Sequence, residues 1–134
     1  MIQLQDVSKT YAKNGKKAVD HLSLHVKSGE LFGFIGPNGA GKTTTIRMMT
    51  GILTPSEGSL IMAGHRMDQD RIAAQREIGY VPDGNDLYDR LTGMEYLNFM
   101  ADVYQVGMAQ RKAHIEKYLN LFSLEDAVNQ QIRS

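Results

Sequence analysis

Gly36-Pro37-Asn38-Gly39-Ala40-Gly41-Lys42-Thr43, followed by Thr44 and Thr45, is the stretch on which the fold of this chain turns. Two glycines with four residues between them, then lysine and a hydroxyl residue, form a phosphate-binding pattern. Each part has a chemical reason. A glycine-rich turn lets several backbone N–H groups point into one concavity, and a helix starting there aims its positive end at the same spot. Lys42 reaches the outer oxygens of a polyphosphate as a point charge, and the Thr43 hydroxyl is a ligand for a magnesium ion that keeps most of its waters. Upstream, Leu31-Phe32-Gly33-Phe34-Ile35 is a short apolar run between Gly29 and Gly36, which predicts a buried strand. Downstream, Ile46, Met49 and Thr50 fall at helical spacing, and Gly51 stands where a helix-terminating glycine belongs.

Working outward, Ile2 to Val7 reads as a strand whose alternation is imperfect, with Val7 out of phase. Asn14-Gly15 predicts a turn into a second strand over 18–26, where Leu22, Leu24 and Val26 alternate with Ser23 and His25. Pro55-Ser56-Glu57-Gly58 predicts another turn, leading to a strand over 59–63 closed by Gly64. Residues 68–76 read as a short polar helix, and Ile78-Gly79-Tyr80-Val81 as a strand ended by Pro82. Beyond it the pattern turns helical. Thr92 and Glu95 fit a capping box, and Tyr96, Phe99, Met100, Val103 and Tyr104 share one face of a helix that Gly107 is expected to end. Ile115, Tyr118, Leu119 and Phe122 mark a second helical face. The expected division is a β subdomain with part of a phosphate-loop core over 1–86, and a helical subdomain over 87–134, whose aromatic and Met positions are read as core.

Bulk properties narrow the function. The 134 residues carry 15 Lys plus Arg against 15 Asp plus Glu, so no whole-chain basic field points to nucleic acid, and none is expected as a partner. With no cysteine, disulfides and thiolate metal sites are excluded, which fits a reducing cytosol. There is no run of roughly 18 apolar residues, so a membrane role is expected only through a partner. His21, His25, His65 and His114 show no metal-ligand spacing and read as surface or structural residues, as do Glu125 and Asp126.

Taken together, the quoted residues resemble the N-terminal half of the nucleotide-binding domain of ATP-binding cassette (ABC) transporters. The similarity runs from Ser28-Gly29-Glu30 through the phosphate loop to Gly51-Ile52-Leu53-Thr54-Pro55-Ser56-Glu57-Gly58, and Asn38 and Ala40 are the choices that family makes. The resemblance implies an α/β P-loop fold with an antiparallel β subdomain and the start of a helical one. It implies ATP and Mg2+ as ligands, held by Gly36, Pro37, Asn38, Gly39, Ala40, Gly41, Lys42, Thr43 and Thr44, with adenine stacked on Tyr11. Ile78 to Pro82 is similar to the approach to the family's metal- and water-contacting glutamine; here that position is Asp83, which can meet the metal but cannot donate a hydrogen bond when ionised. Thr43 and Asp83 are therefore the metal candidates. Leu91 to Leu97 is similar to the start of the helical subdomain and is read as structural.

The same resemblance implies a transmembrane permease subunit and a second nucleotide-binding domain as partners, at the cytoplasmic face of a membrane. It also requires a Ser-Gly-Gly signature, an Asp-Glu pair and a later histidine, none of which stands in these residues, so no catalytic residue is assigned. The expectation is a piece of a longer ATPase that holds phosphates without cutting them. A soluble ABC-type ATPase acting in DNA repair or translation, and a non-catalytic nucleotide-binding module, are the alternative readings.

Overall fold

A computed structural model of the chain describes residues 1–11, 15–82 and 88–133. The chain falls into two compact units, Met1–Val81 and Pro82–Ser134. The first holds strands β1 (Ile2–Thr10), β2 (Lys17–Val26), β3 (Glu57–Met62) and β4 (His65–Arg66), with helices α1 (Lys42–Met49) and α2 (Arg71–Arg76). The second holds α3 (Gly93–Val103) and α4 (Met108–Phe122). The expected Asn14-Gly15 turn lies partly outside the described residues.

The four strands form one antiparallel sheet in the order β2-β1-β3-β4. Its central strand explains the phase error seen in the sequence. Leu4 is 2% exposed and Val7 0%, so two buried positions three residues apart face the core, which an unbroken strand of period two cannot do. A bulge supplies the extra residue: Gln5 pairs with Ser59 and Ser8 with Glu57, and Asp6 takes a φ of 52°. Gly58, expected in a turn, is instead the β3 residue against this bulge, with a φ of 82°. A Cβ there would stand 2.3 Å from the Asp6 carbonyl oxygen, so glycine is required both for the dihedral and for the close approach. The side chains of the bulge are tied down in turn. Asp6 Oδ1 lies 2.9 Å from His21 Nδ1, and the buried Ser8 hydroxyl accepts from the His21 backbone N–H at 2.9 Å. Beneath the sheet, Leu4, Val7, Val19, Leu60 and Met62 pack with Met48 of α1, Ala74 of α2 and Met67.

Several expectations are corrected here. Leu31 to Ile35 is not a strand: Leu31 is 101% and Ile35 95% exposed. Ile78 to Val81 is not one either. An apolar run becomes a strand when another backbone pairs with it, and among the described residues neither segment has a ladder partner. The strand expected to close at Gly64 continues through a two-residue loop into β4, Ala63 and Gly64 having φ of 51° and 92°, the left-handed pair of a tight hairpin. Helix α2 starts at Arg71 rather than Asp68, because the Asp68 carboxylate is engaged by the Arg66 guanidinium, at 2.8 and 3.1 Å, and Asp70 N–H turns back to the Arg66 carbonyl.

In the second unit, the Thr92 hydroxyl accepts from Glu95 N–H at 3.2 Å while the Glu95 carboxylate accepts from Thr92 N–H at 2.8 Å, the expected capping box. Gly107 does not end α3. The chain leaves the helix at Tyr104, Gln105 takes the left-handed conformation at φ 54°, and Gly107 is the N-cap of α4. Nor are the aromatic and Met positions of these helices a buried core: no residue of α3 or α4 is fully buried, and Val128 alone is buried among the unit's described residues. Two helices offer each other too little surface to cover both apolar faces. Residues 128–132 run back along the start of α3, where Met94 N–H donates to the Val128 carbonyl at 2.8 Å and Ile132 N–H to Leu91 at 3.0 Å.

Candidate functional site

The glycine-rich loop leads straight into α1. Ala40 N–H closes a turn onto the Pro37 carbonyl at 3.2 Å, and Gly41, at φ 84°, is the N-cap of the helix. Gly41 also lies against β2, where an added Cβ would sit 2.4 Å from the Ala18 carbonyl oxygen. The loop is therefore pressed onto the sheet at its last glycine, and any side chain there would push the helix start away. One turn on, Thr45 is 1% exposed, and both its N–H and its hydroxyl bond to the Gly41 carbonyl, at 2.8 and 2.9 Å. Three residues further, Met48 enters the core, so α1 is anchored through one face and its N-terminus is held in place.

That N-terminus has no side-chain cap and no acidic residue in its first turn. The first N–H groups of a helix have no intrahelical acceptor, so those of Lys42, Thr43 and Thr44, without a partner among the described residues, are donors backed by the helix dipole. Lys42 adds a full positive charge at the same place. Its ammonium donates to the Gly36 and Pro37 carbonyls, the latter at 2.8 Å, which folds the side chain over the loop. The Thr43 side chain is exposed, with no hydrogen-bond partner among the described residues. The Thr44 hydroxyl meets the Tyr11 hydroxyl at 3.1 Å, which brings a ring from the end of β1 to the start of α1. Tyr11 is 60% exposed. Asp83 lies outside the described residues.

Of the residues singled out in the sequence, the loop residues, Lys42, Thr43, Thr44 and Tyr11 thus come together at one end of α1. What they can do chemically is hold a polyanion, by backbone donors, one ammonium and the Thr43 hydroxyl, beside an exposed aromatic ring. Two supporting residues had escaped the sequence reading. Thr45 looked like one more hydroxyl in a threonine run, although its spacing of three from Met48 was a signal for the buried face; the Ala18 carbonyl left no signal, since it acts through the backbone. At the other end of α1, Gln75 Nε2 donates to the Thr50 carbonyl at 3.0 Å and Arg71 to the Gly51 carbonyl, so α2 satisfies carbonyls that the helix leaves unpaired. The resolved pKa shifts lie elsewhere: the hydrogen bond from Lys17 holds the Asp20 carboxyl below its ordinary value and raises the Lys17 ammonium in return. No helix among the described residues is long and apolar enough to cross a membrane.

Comparison with known proteins gives concordant results. A family model described as ABC transporter matches residues 19–134. The chain is 44% identical over 110 residues to the rat protein ATP-binding cassette sub-family A member 7, covering 82% of this chain and 5% of that one. It is 38% identical over 130 residues to the SkfA peptide export ATP-binding protein SkfE of Bacillus subtilis, covering 97% of this chain and 53% of that one. Among solved structures, an ATP binding subunit of an ABC transporter superposes with a TM-score of 0.87 at 28% identity, over 98% of this chain and 54% of that one. The chain thus spans about half the length of SkfE and a small part of the larger relative.

Proposed function

Because the chain belongs to the ABC transporter family and has the α/β P-loop fold of its ATP-binding domains, we propose that it is an ATP-binding portion of a transport ATPase. The observation that carries this reading is the convergence at the start of α1: an uncapped helix N-terminus, the Lys42 ammonium over the loop, and Tyr11 tethered to Thr44. Triphosphate oxygens are received by the backbone N–H groups after Gly36 and by Lys42, which exchanges its bonds to the Gly36 and Pro37 carbonyls for charge-assisted ones. The Thr43 hydroxyl, exposed and without a hydrogen-bond partner among the described residues, fits a magnesium ion, with Asp83 as a second candidate ligand. Such an ion, when bound, neutralises phosphate charge. Tyr11 offers its ring to the purine.

In the whole protein, we place this site in the energising subunit or domain of a transporter, working with a membrane-embedded permease and a second nucleotide-binding domain, peripheral to the cytoplasmic face. Two names support the assignment: SkfE is a peptide export ATP-binding protein, and the superposed structure is an ATP binding subunit. The 134 residues on their own are proposed to bind nucleotide without appreciable hydrolysis, because no Ser-Gly-Gly signature or Asp-Glu pair stands among them.

Titration with ATP and Mg2+ tests the reading. The chain binds, and Lys42→Ala weakens affinity roughly tenfold to a hundredfold, the range for a hydrogen bond to a charged group. Equal affinity of the two proteins would refute the site, and Lys42-dependent steady-state phosphate release would refute the lack of hydrolysis.

A further inference from the structure

The bond between the Tyr11 and Thr44 hydroxyls joins residues 33 apart in sequence, at 3.1 Å. We propose that Thr44 is a positioning residue for the Tyr11 ring, so that the purine platform is set before nucleotide arrives. The inference rests on the ATP-site reading and deepens it, by assigning the orientation of the ring to a pair of hydroxyls.

The main chain beneath Tyr11 is already fixed. Thr10 pairs with Lys17, its N–H donates to Ser56 Oγ at 3.2 Å, and the neighbouring Lys9 ammonium reaches the Thr54 carbonyl at 2.6 Å. The side chain is not. Tyr11 is 60% exposed, and among the described residues its ring stacks on no other ring and carries no cation over its face. Among the described residues its hydroxyl makes the side chain's one hydrogen bond, to Thr44. Anchored at the backbone and again at the far end of the ring, the side chain has little freedom left at its two torsions, while its faces stay open for stacking.

Thr44 is suited to this role in a way that its neighbour is not. A threonine in a helix can turn its hydroxyl back to a carbonyl one turn earlier, and Thr45 does so, donating to Gly41 at 2.9 Å. Thr44 uses its hydroxyl across the loop instead. A hydroxyl has one donor and two acceptor sites. With the Tyr11 O–H donating and Thr44 Oγ1 accepting, the hydrogen on Thr44 remains available to a phosphate oxygen, so the tether and a bound polyphosphate do not compete. The ring is thereby coupled to the phosphate end of the site through one atom.

The test uses the 134-residue chain with ATP or inorganic tripolyphosphate, each with Mg2+, and compares wild type with Tyr11→Phe, Thr44→Ser, Thr44→Val and the Tyr11→Phe/Thr44→Val double variant. Tyr11→Phe keeps the ring and removes the tether. It weakens ATP binding roughly threefold to tenfold, the span of one net hydrogen bond, and the loss is larger for ATP than for tripolyphosphate. Thr44→Ser retains wild-type discrimination between the two ligands, Thr44→Val loses it, and the double variant discriminates no worse than the poorer single one. In the nucleotide-free protein, the Tyr11 ring resonances shift in Thr44→Val and not in Thr44→Ser. ATP affinity unchanged in Tyr11→Phe, additive losses in the double variant, or ring resonances indifferent to Thr44→Val would each overturn the proposal. Wild type binding neither ligand would overturn the ATP-site reading and with it the platform role, a failure told apart from loss of the tether by the nucleotide-free spectra.

Discussion

Val7 and Gly58 show what a single residue can report. Val7 breaks the alternation of β1, and the break is physical: Asp6 at φ 52° is the extra residue of a bulge, and Gly58 is what lets β3 lie against it. Gly58→Ala would require a left-handed alanine and a Cβ 2.3 Å from a backbone oxygen. A cost of at least about 2 kcal/mol is expected, from the dihedral penalty and the overpacking together. Gly79→Ala is the control, since nothing lies within 4 Å of its would-be Cβ and its φ is not positive. Urea unfolding should therefore show a much lower midpoint for the first variant and a near-native one for the second; equal midpoints would contradict the bulge. The anomaly at Val7 was legible in the sequence, but its meaning was not, because a bulge is defined by the strand across from it. Tyr11 is similar: a loop tyrosine could be picked out, whereas its bond to Thr44 required the two segments in space.

Among the elements, the best read were those with chemistry confined to a few consecutive residues. The start of α3 was plain because Thr92 and Glu95 cap within one turn, and the start of α1 because glycines, lysine and threonine announce it. Ends and partners were less visible. Gly107 attracted the terminating role that Gln105, left-handed just after the C-cap Tyr104, fulfils, and β4, with two residues, is too short to carry a period. The capping box also makes α3 sensitive to acid. The backbone N–H of Thr92, and then its hydroxyl, hold the Glu95 carboxyl below its ordinary value. A carboxyl depressed on folding contributes fully above its unfolded pKa, and the contribution is lost as the pH falls from there through the lower folded value. The Thr92 amide resonance should accordingly titrate below the usual glutamate range. Glu95→Gln, which keeps an acceptor for that N–H, should leave α3 helical and abolish this titration. A Thr92 amide that titrates identically in both proteins would remove Glu95 from the cap.

At the scale of the molecule, two apolar segments expected as strands stand outside the observed sheet. Leu31 to Ile35 and Ile78 to Val81 were legible as hydrophobic, and hydrophobicity says that a segment is to be covered without saying by what. Among the described residues nothing pairs with either, and Leu31, Ile35 and Val81 stand 101%, 95% and 89% exposed. An unpaired apolar backbone segment is a template for association. The chain has a formal net charge of zero, so little electrostatic repulsion opposes contact between copies. Light scattering by the 134-residue chain should therefore rise with protein concentration. Placing like charges on the segment, as Leu31→Lys with Ile35→Lys, should suppress the rise while leaving the urea midpoint within about 0.5 kcal/mol of wild type, since surface substitutions that touch no packed group cost little. A large loss of stability in that variant would mean that the two side chains are buried within the monomer, and a wild-type chain that stays monomeric across the concentration range would mean that the exposed segment is not an adhesive edge.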